Sequence, residues 1–257
     1  MHFVFDLDGT ICFQGKPICA EILQSLIELQ EAGYKVIFAS ARPIRDMLPV
    51  IDQKFHSSTM IGGNGALISK DGKVIKSHSF TTNELNEIKK LIHEYHATYL
   101  IDGEWNYAYT GPEDHPIFQN VDSGKLAKKV PLETIDPVVK VLILTSNKIN
   151  ELAEKLSKLD VYINRHRNEN VLDISPRGIN KWSALKSLGI EKHTYIAFGN
   201  DANDIAMFEN ALYSVMIGNH ESLAPLAKEM IPLKGDYEKV IADKIRTLSK
   251  KFKLLKI

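Results

Sequence analysis

Met1-His2-Phe3-Val4-Phe5-Asp6-Leu7-Asp8-Gly9-Thr10 opens the chain with a short apolar run that stops at a carboxylate-rich turn. Such a run suits a buried parallel strand better than a helix, and the strand ends at Asp6. From Ala20 to Ala32, Ile22, Leu23, Leu26, Ile27 and Leu29 recur at helical spacing, and Gly33 can close that helix with a positive backbone angle. Lys35 to Ala39 reads as a second strand. Pro43 suits the first turn of a helix running toward Phe55, because its missing N–H would have no partner there. Strand, helix, strand, helix predicts a doubly wound, Rossmann-like parallel sheet with helices on both faces.

After Ile61 the pattern changes. Ala66-Leu67-Ile68-Ser69 and Lys73-Val74-Ile75 flank Asp71-Gly72, a pair suited to a tight hairpin turn. Thr81 and Glu84 have capping-box spacing ahead of a helix with Leu85, Ile88, Leu91 and Ile92 inward. Asp102-Gly103 sits between segments rich in Tyr, Ile and Trp, as a second hairpin turn would. Val138 to Leu144 reads as a strand, Glu151 to Leu159 as a helix, and Val171 to Ser175 as another strand. The first pattern then returns. A helix runs from Lys181 to Leu188 and stops at Gly189; a strand Thr194 to Phe198, a helix from Asn203, a strand Tyr213 to Ile217 and a helix from Glu221 follow. The expected fold class is α/β, with a core from 1–79 and 176–257 and an α+β domain inserted at 80–175. No internal repeat or low-complexity linker is found.

The 257 residues are 44% hydrophobic and 25% charged, which is ordinary for a globular protein. The 32 Lys+Arg balance the 32 Asp+Glu, so no positive field collects nucleic acid or anionic membrane, and the expected partner is small. The first apolar run reaches Asp6 too soon for a secretory signal, and no later run is long enough to span a bilayer, so a cytoplasmic protein is expected. No pattern points to a particular oligomeric state. Cys12 and Cys19 lack CxxC spacing and a His/Cys cluster, which argues against zinc or a disulfide framework and for buried small apolar residues. Lys250 to Lys256 reads as a solvated helix end.

In an open parallel sheet, ligands bind beyond the carboxyl ends of the strands. Asp6-Leu7-Asp8-Gly9-Thr10, Ser40-Ala41-Arg42 and Gly199-Asn200-Asp201-Ala202-Asn203-Asp204 all follow strands and can meet there. Two carboxylates one residue apart at the end of a buried strand repel each other and need a cation or an anomalous proton. A hard ion such as Mg²⁺ meets that need, with Asp6 and the amide oxygen of Asn200 as direct ligands and Asp204 through water. Plainer readings stand beside these. Asp-Leu-Asp-Gly-Thr suits a turn with a helix cap, Ser40 and Asn203 suit caps, and Lys181 suits a solvated helix start.

Asp6-Leu7-Asp8-Gly9-Thr10 directly after the first strand resembles the signature of the haloacid dehalogenase superfamily, whose first Asp is the nucleophile and second the general acid and base. The resemblance covers the whole chain. Ser40 stands at the second-motif Ser/Thr, Lys181 at the third-motif Lys, and Gly199 to Asp204 at the fourth, acidic motif. The insert is similar to the C2-type cap of the Cof-like branch, subfamily IIB, and Asn64-Gly65-Ala66 resembles the short NGA run found in that branch before its cap. This implies a Mg²⁺-dependent phosphatase acting on a small phosphorylated metabolite, foremost a sugar phosphate, through an aspartyl phosphate on Asp6. Asp8 would then be the general acid and base. The N–H groups of Leu7 and Ala41, with Ser40, Lys181 and Asn203, would bind phosphate, and Asp6, the Asp8 carbonyl, Asn200 and Asp204 would hold the metal.

Two departures from the family pattern stand out. Asn200 replaces the usual Asp after Gly199, and Trp182 replaces the small residue after the motif lysine, either packing between cap and core or narrowing the entrance. Trp105, Tyr107, Tyr109, Arg165 and His166 are candidates to line that entrance, against the plainer reading of aromatic core packing and a surface histidine. Two alternatives compete: a phosphomutase that returns the phosphoryl group to a sugar, and a catalytically weak binding or regulatory homologue. Intact Asp6, Asp8, Ser40 and Lys181 argue against the second, since binding alone requires no nucleophile and acid together.

Overall fold

The computed structural model describes residues 1–166 and 171–253, apart from the side chains of Arg165 and His166. β1 (His2–Phe5) lies at the centre of the larger sheet, and α1 (Ala20–Glu31) carries the chain back to β2 (Lys35–Ala39). The two strands pair in parallel, Phe3 beside Val36 and Phe5 beside Phe38. α2 (Ile44–Met47) leads to β3 (Thr59–Gly62), after which β4 (Leu67–Lys70) and β5 (Lys73–Ser77) form the expected hairpin. Asp71 and Gly72 take φ of 52° and 72°, the left-handed angles such a turn requires.

The chain then leaves the first sheet. α3 (Thr82–Glu94), held at its start by the reciprocal Thr81 and Glu84 capping bonds, precedes β6 (Thr98–Asp102), β7 (Tyr107–Tyr109) and β8 (Lys140–Thr145). α4 (Ile149–Leu156), β9 (Val161–His166) and β10 (Val171–Pro176) complete a five-stranded antiparallel sheet of order β7-β6-β8-β10-β9. Returning, α5 (Lys181–Ser187), β11 (Tyr195–Gly199), α6 (Ile205–Glu209), β12 (Tyr213–Ile217), β13 (Glu229–Ile231) and α7 (Tyr237–Lys253) finish the larger sheet, whose order is β13-β12-β11-β1-β2-β3-β4-β5.

Alternation along the central strands assigns the layers. Phe3, Phe5 and Phe38 turn toward Ile22 and Leu26 of α1 and Ile241 and Ile245 of α7, whereas Val4, Ile37 and Ala197 turn toward Leu185 of α5 and Met207 of α6. Each fully buried Phe stabilises the fold by roughly 1.5–3 kcal/mol. In the second sheet Ile101, Val141, Ile143, Leu172 and Ile174 pack under α3 and α4. Its other face carries Leu100, Leu142 and Val171 together with the buried charges Asp102, Lys140 and Asp173.

Two expected helices are much shorter. The one from Pro43 ends at Met47, because Pro49 cannot donate the next helical bond; only a separate turn at Gln53–Phe55 follows. The one from Glu221 is a single turn at Ala224–Leu226, interrupted by Pro225, and β13 follows it. No helix of the described residues is long and apolar enough to cross a membrane.

Candidate active site

Strand order reverses beside β1: β2 and β3 lie on one side of it, β11 and β12 on the other. Connections therefore diverge there and leave a crevice at the carboxyl ends of β1, β2 and β11. Asp6 stands at its base, 4% exposed, its N–H bound to the Phe198 carbonyl. Its Oδ1 accepts from Lys181 Nζ at 2.6 Å and its Oδ2 from the Thr10 hydroxyl at 2.9 Å. Lys181 is the first residue of α5, placed by the Asn180–Ser183 capping box, and it also donates to Asp204 Oδ1 at 2.7 Å. Asp204 Oδ2 accepts from the N–H groups of Asn200 and Asp201. One buried carboxylate thus fixes both the lysine and the turn after β11.

Burial pushes Asp6 up to about 7; Lys181 opposes the rise and the Asp204 charge adds to it. Burial works against the charge on Lys181, but Asp204 and Asp6 outweigh it and hold the ammonium above the ordinary lysine range. Two buried carboxylates around one buried ammonium leave a negative charge uncompensated. The Thr10 hydroxyl also lies 3.2 Å from Asn200 Oδ1, so oxygens of Asp6 and Asn200 flank the same hydroxyl. An oxygen-only donor pair with surplus negative charge fits a hard divalent cation such as Mg²⁺. Gly9, at φ +77°, leaves the room in which the Asn200 amide sits; a Cβ there would overlap Asn200 Nδ2.

Asp8 is half-exposed and gripped by Arg42, whose Nε and terminal nitrogen reach its two oxygens at 2.7 and 2.6 Å. Ser40 is 1% exposed at the end of β2, and its Oγ accepts from the Arg42 N–H. The Leu7 side chain is fully buried, and its carbonyl accepts from the N–H groups of Thr10, Ile11 and Cys12, so only its backbone N–H can face a ligand. Ala41 gives its carbonyl to Lys140 Nζ of the second sheet at 2.9 Å. Asn203 donates to Asn64 Oδ1 at 3.1 Å, and Asn64 reaches Asp173. The structure therefore brings Asp6, Leu7, Asp8, Ser40, Ala41, Lys181, Asn200, Asn203 and Asp204 to one crevice.

Sequence reasoning missed the opposite wall. A cavity of about 240 Å³ lies over Asp8 and Arg42, bounded by Ala41, Pro43 and Asp46 below and by Leu100, Asp102, Lys140, Leu142 and Asp173 above. Lys140 pairs with Asp173 at 3.0 Å. Arg45, wholly buried, pairs with Asp102 at 2.5 Å and Asp46 at 3.3 Å, donates to the Trp105 carbonyl and lies over the Tyr107 ring. Asp102 is not the corner of a two-residue turn: Gly103 N–H closes a longer loop onto the Asn106 carbonyl, leaving the carboxylate at a buried strand end. The available signal was a charge inside otherwise apolar strands, Lys140 before Val141-Leu142-Ile143 and Asp173 between Leu172 and Ile174. A larger cavity of about 450 Å³, among His2, Tyr34, Lys35 and Thr59, opens at the opposite end of the sheet and has no carboxylate in its wall.

The aromatic candidates do not line the cavity over Asp8. Tyr107 is buried beside Arg45, Tyr109 stacks on Phe118, and Trp105 donates its ring N–H to the Leu126 carbonyl. Trp182 stacks on Tyr195 against the core sheet, so it neither packs between the two sheets nor narrows the entrance. The side chains of Arg165 and His166 lie outside the described residues.

Over residues 3–240 the chain matches the profile of haloacid dehalogenase-like hydrolases. It is 25% identical over 237 residues to a 5-amino-6-(5-phospho-D-ribitylamino)uracil phosphatase of Bacillus subtilis, a match covering 83% of this chain and 85% of that one. An HMP-PP phosphatase of Serratia proteamaculans is 25% identical over 244 residues, with 89% and 86% covered. The fold superposes on that of a HAD subclass IIB sugar phosphatase with a TM-score of 0.74 at 18% identity, covering 99% of this chain and 98% of the other.

Proposed function

Because the chain belongs to the haloacid dehalogenase-like hydrolase family, we propose that it is a Mg²⁺-dependent phosphatase of a small phosphorylated metabolite, foremost a sugar phosphate, working through Asp6. The observation that carries this reading is the buried Asp6 carboxylate, ion-paired to Lys181 at 2.6 Å, with Asp8 two residues on lining the cavity beneath the second sheet. Nothing about binding alone requires that pair. Relatives named as phosphatases of two different small phosphorylated compounds support the same class.

In this mechanism the substrate phosphate enters beside Asp6, its oxygens held by the Ser40 hydroxyl, the N–H groups of Leu7 and Ala41, and the Lys181 ammonium. An Asp6 oxygen attacks phosphorus in line as the bond to the leaving oxygen breaks, and Asp8 gives that oxygen its proton. Asp8, now a carboxylate, takes a proton from a water that attacks the phosphorus of the aspartyl phosphate; the bond to Asp6 breaks and inorganic phosphate leaves. Arg42 keeps Asp8 on the leaving-group side. Asn203 holds Asn64 and so braces the phosphate end of the crevice. Asp6, the Asp8 carbonyl and Asn200, with Asp204 through water, would hold Mg²⁺, which would supply positive charge to the phosphoryl oxygens. Residues 80–175 act as the cap that keeps bulk water from the reaction.

Phosphate release from sugar phosphates, pyridoxal phosphate, flavin mononucleotide and phenyl phosphate, with Mg²⁺ or EDTA, tests the reading. Turnover that needs Mg²⁺ and disappears in Asp6→Asn is expected; metal-loaded wild type inert on every compound would sink it.

A further inference from the structure

The wall that faces the leaving group carries more structure than general phosphate chemistry requires. Asp102 is 1% exposed, yet only its Oδ1 is engaged, by Arg45; its Oδ2 is buried and accepts from no protein group. A buried acceptor without a donor is costly, and a ligand that brings one removes that cost. Around it every cation is already engaged: Arg42 by Asp8, Lys140 by Asp173, and Arg45 by both Asp46 and Asp102. Four carboxylates meet three cations, and with Asp8 protonated as the acid the remaining three still match them, so among the described residues this wall carries no surplus positive charge for a second anionic group. Pro43, Leu100, Ile117, Val121 and Leu142 make most of the rest of the wall apolar, with Asn120 the uncharged polar side chain among them. At about 240 Å³ the cavity also falls below the ~300–1,000 Å³ usual for drug-sized ligands.

We propose that the substrate is a monophosphate ester of a compact, uncharged, single-ring or short polyol leaving group that presents an O–H or N–H to Asp102, and that esters with a second phosphate or a carboxylate are rejected. This rests on the phosphatase reading of Asp6 and adds to it a specificity-determining residue on β6. The aliphatic ring of an alkyl analogue would fit the same space but leave Asp102 Oδ2 without a donor.

The test compares kcat/KM of the full chain with Mg²⁺ for a hexose 6-phosphate, the corresponding hexose 1,6-bisphosphate and cyclohexylmethyl phosphate, with phenyl phosphate reporting the core chemistry. The hexose monophosphate should exceed both the bisphosphate and the cyclohexyl ester at least tenfold. In Asp102→Asn its advantage over the bisphosphate should fall at least threefold; a merely structural loss would lower both in proportion and keep the ratio. Equal wild-type turnover of monophosphate and bisphosphate, or of the hexose and cyclohexyl esters, overturns the inference without recourse to any variant. If phenyl phosphate is hydrolysed in that case, the phosphatase reading survives; if all four esters are inert, both fall together.

Discussion

Lys181 serves two carboxylates, Asp6 and Asp204, in a place with no access to water. Lys181→Met would leave both buried without a counter-charge, a loss on the order of 3–5 kcal/mol. Urea unfolding should register it, together with loss of phosphate release; unchanged stability would mean that the ammonium is not what holds the pair. Asp46 gives a pH-dependent counterpart at the Arg45 cluster, where Arg45, Asp102, Asp122 and Tyr107 surround it. Burial pushes Asp46 up to about 6, with Arg45 opposing and Asp102 adding to the rise. A carboxyl raised in the folded state contributes stability at low pH that is lost as pH rises through the folded value. The loss is on the order of 3 kcal/mol for a rise of about two units. Relative to Asp46→Asn, which keeps the Oδ1 acceptor for the Asp122 N–H, the wild type should lose stability between about pH 4 and about pH 7. Parallel stability curves would contradict this.

At the scale of elements, Gly65 links the turn after β3 to the start of α5. Its φ is +113°, and a Cβ would overlap the Asn180 carbonyl, immediately before Lys181. Gly65→Ala should therefore cost about 1–3 kcal/mol or more and lower kcat by displacing the lysine. Gly72→Ala, at a hairpin tip with nothing within 4 Å, should cost about 1–2 kcal/mol in backbone strain and leave kcat unchanged. A fall in kcat of equal size in the two variants would contradict the link to Lys181. Elements were legible in the sequence wherever an apolar run met a turn residue, as at β1, β2, β11 and the Asp71-Gly72 hairpin. They were illegible where proline cut a helix short, at Pro49 and Pro225, and at the edge strands β9 and β13. Edge strands bury less of their length, so their composition signals less. The catalytic end of the crevice could be read because its residues follow strands in short runs. Arg45, Asp102, Lys140 and Asp173 could not, because, apart from the neighbouring Arg45 and Asp46, their partners lie from 33 positions away, Lys140 to Asp173, to 109, Asn64 to Asp173.

Across the whole molecule, the two sheets are joined by buried charges. Arg45 and Asp46 of the first region meet Asp102, Trp105 and Asp122 of the second, and Lys140 reaches back to Ala41. Arg45→Met should leave Asp46 and Asp102 facing each other and loosen that seam. Amide exchange is expected to rise at 98–109 and 118–127 while β1 and β11 stay protected; uniform change across both sheets would contradict a local seam. Such an arrangement suits a cap that opens for a substrate and shuts out water for the reaction. The measurement that tests the central claim most directly is acid-quenched mass spectrometry of the enzyme during turnover with Mg²⁺ and its preferred phosphate ester. A phosphoryl group on the peptide containing Asp6, absent in Asp6→Asn and in EDTA, is the predicted result. Phosphate release that persists in Asp6→Asn, with no phosphorylated peptide in the wild type, would contradict the account.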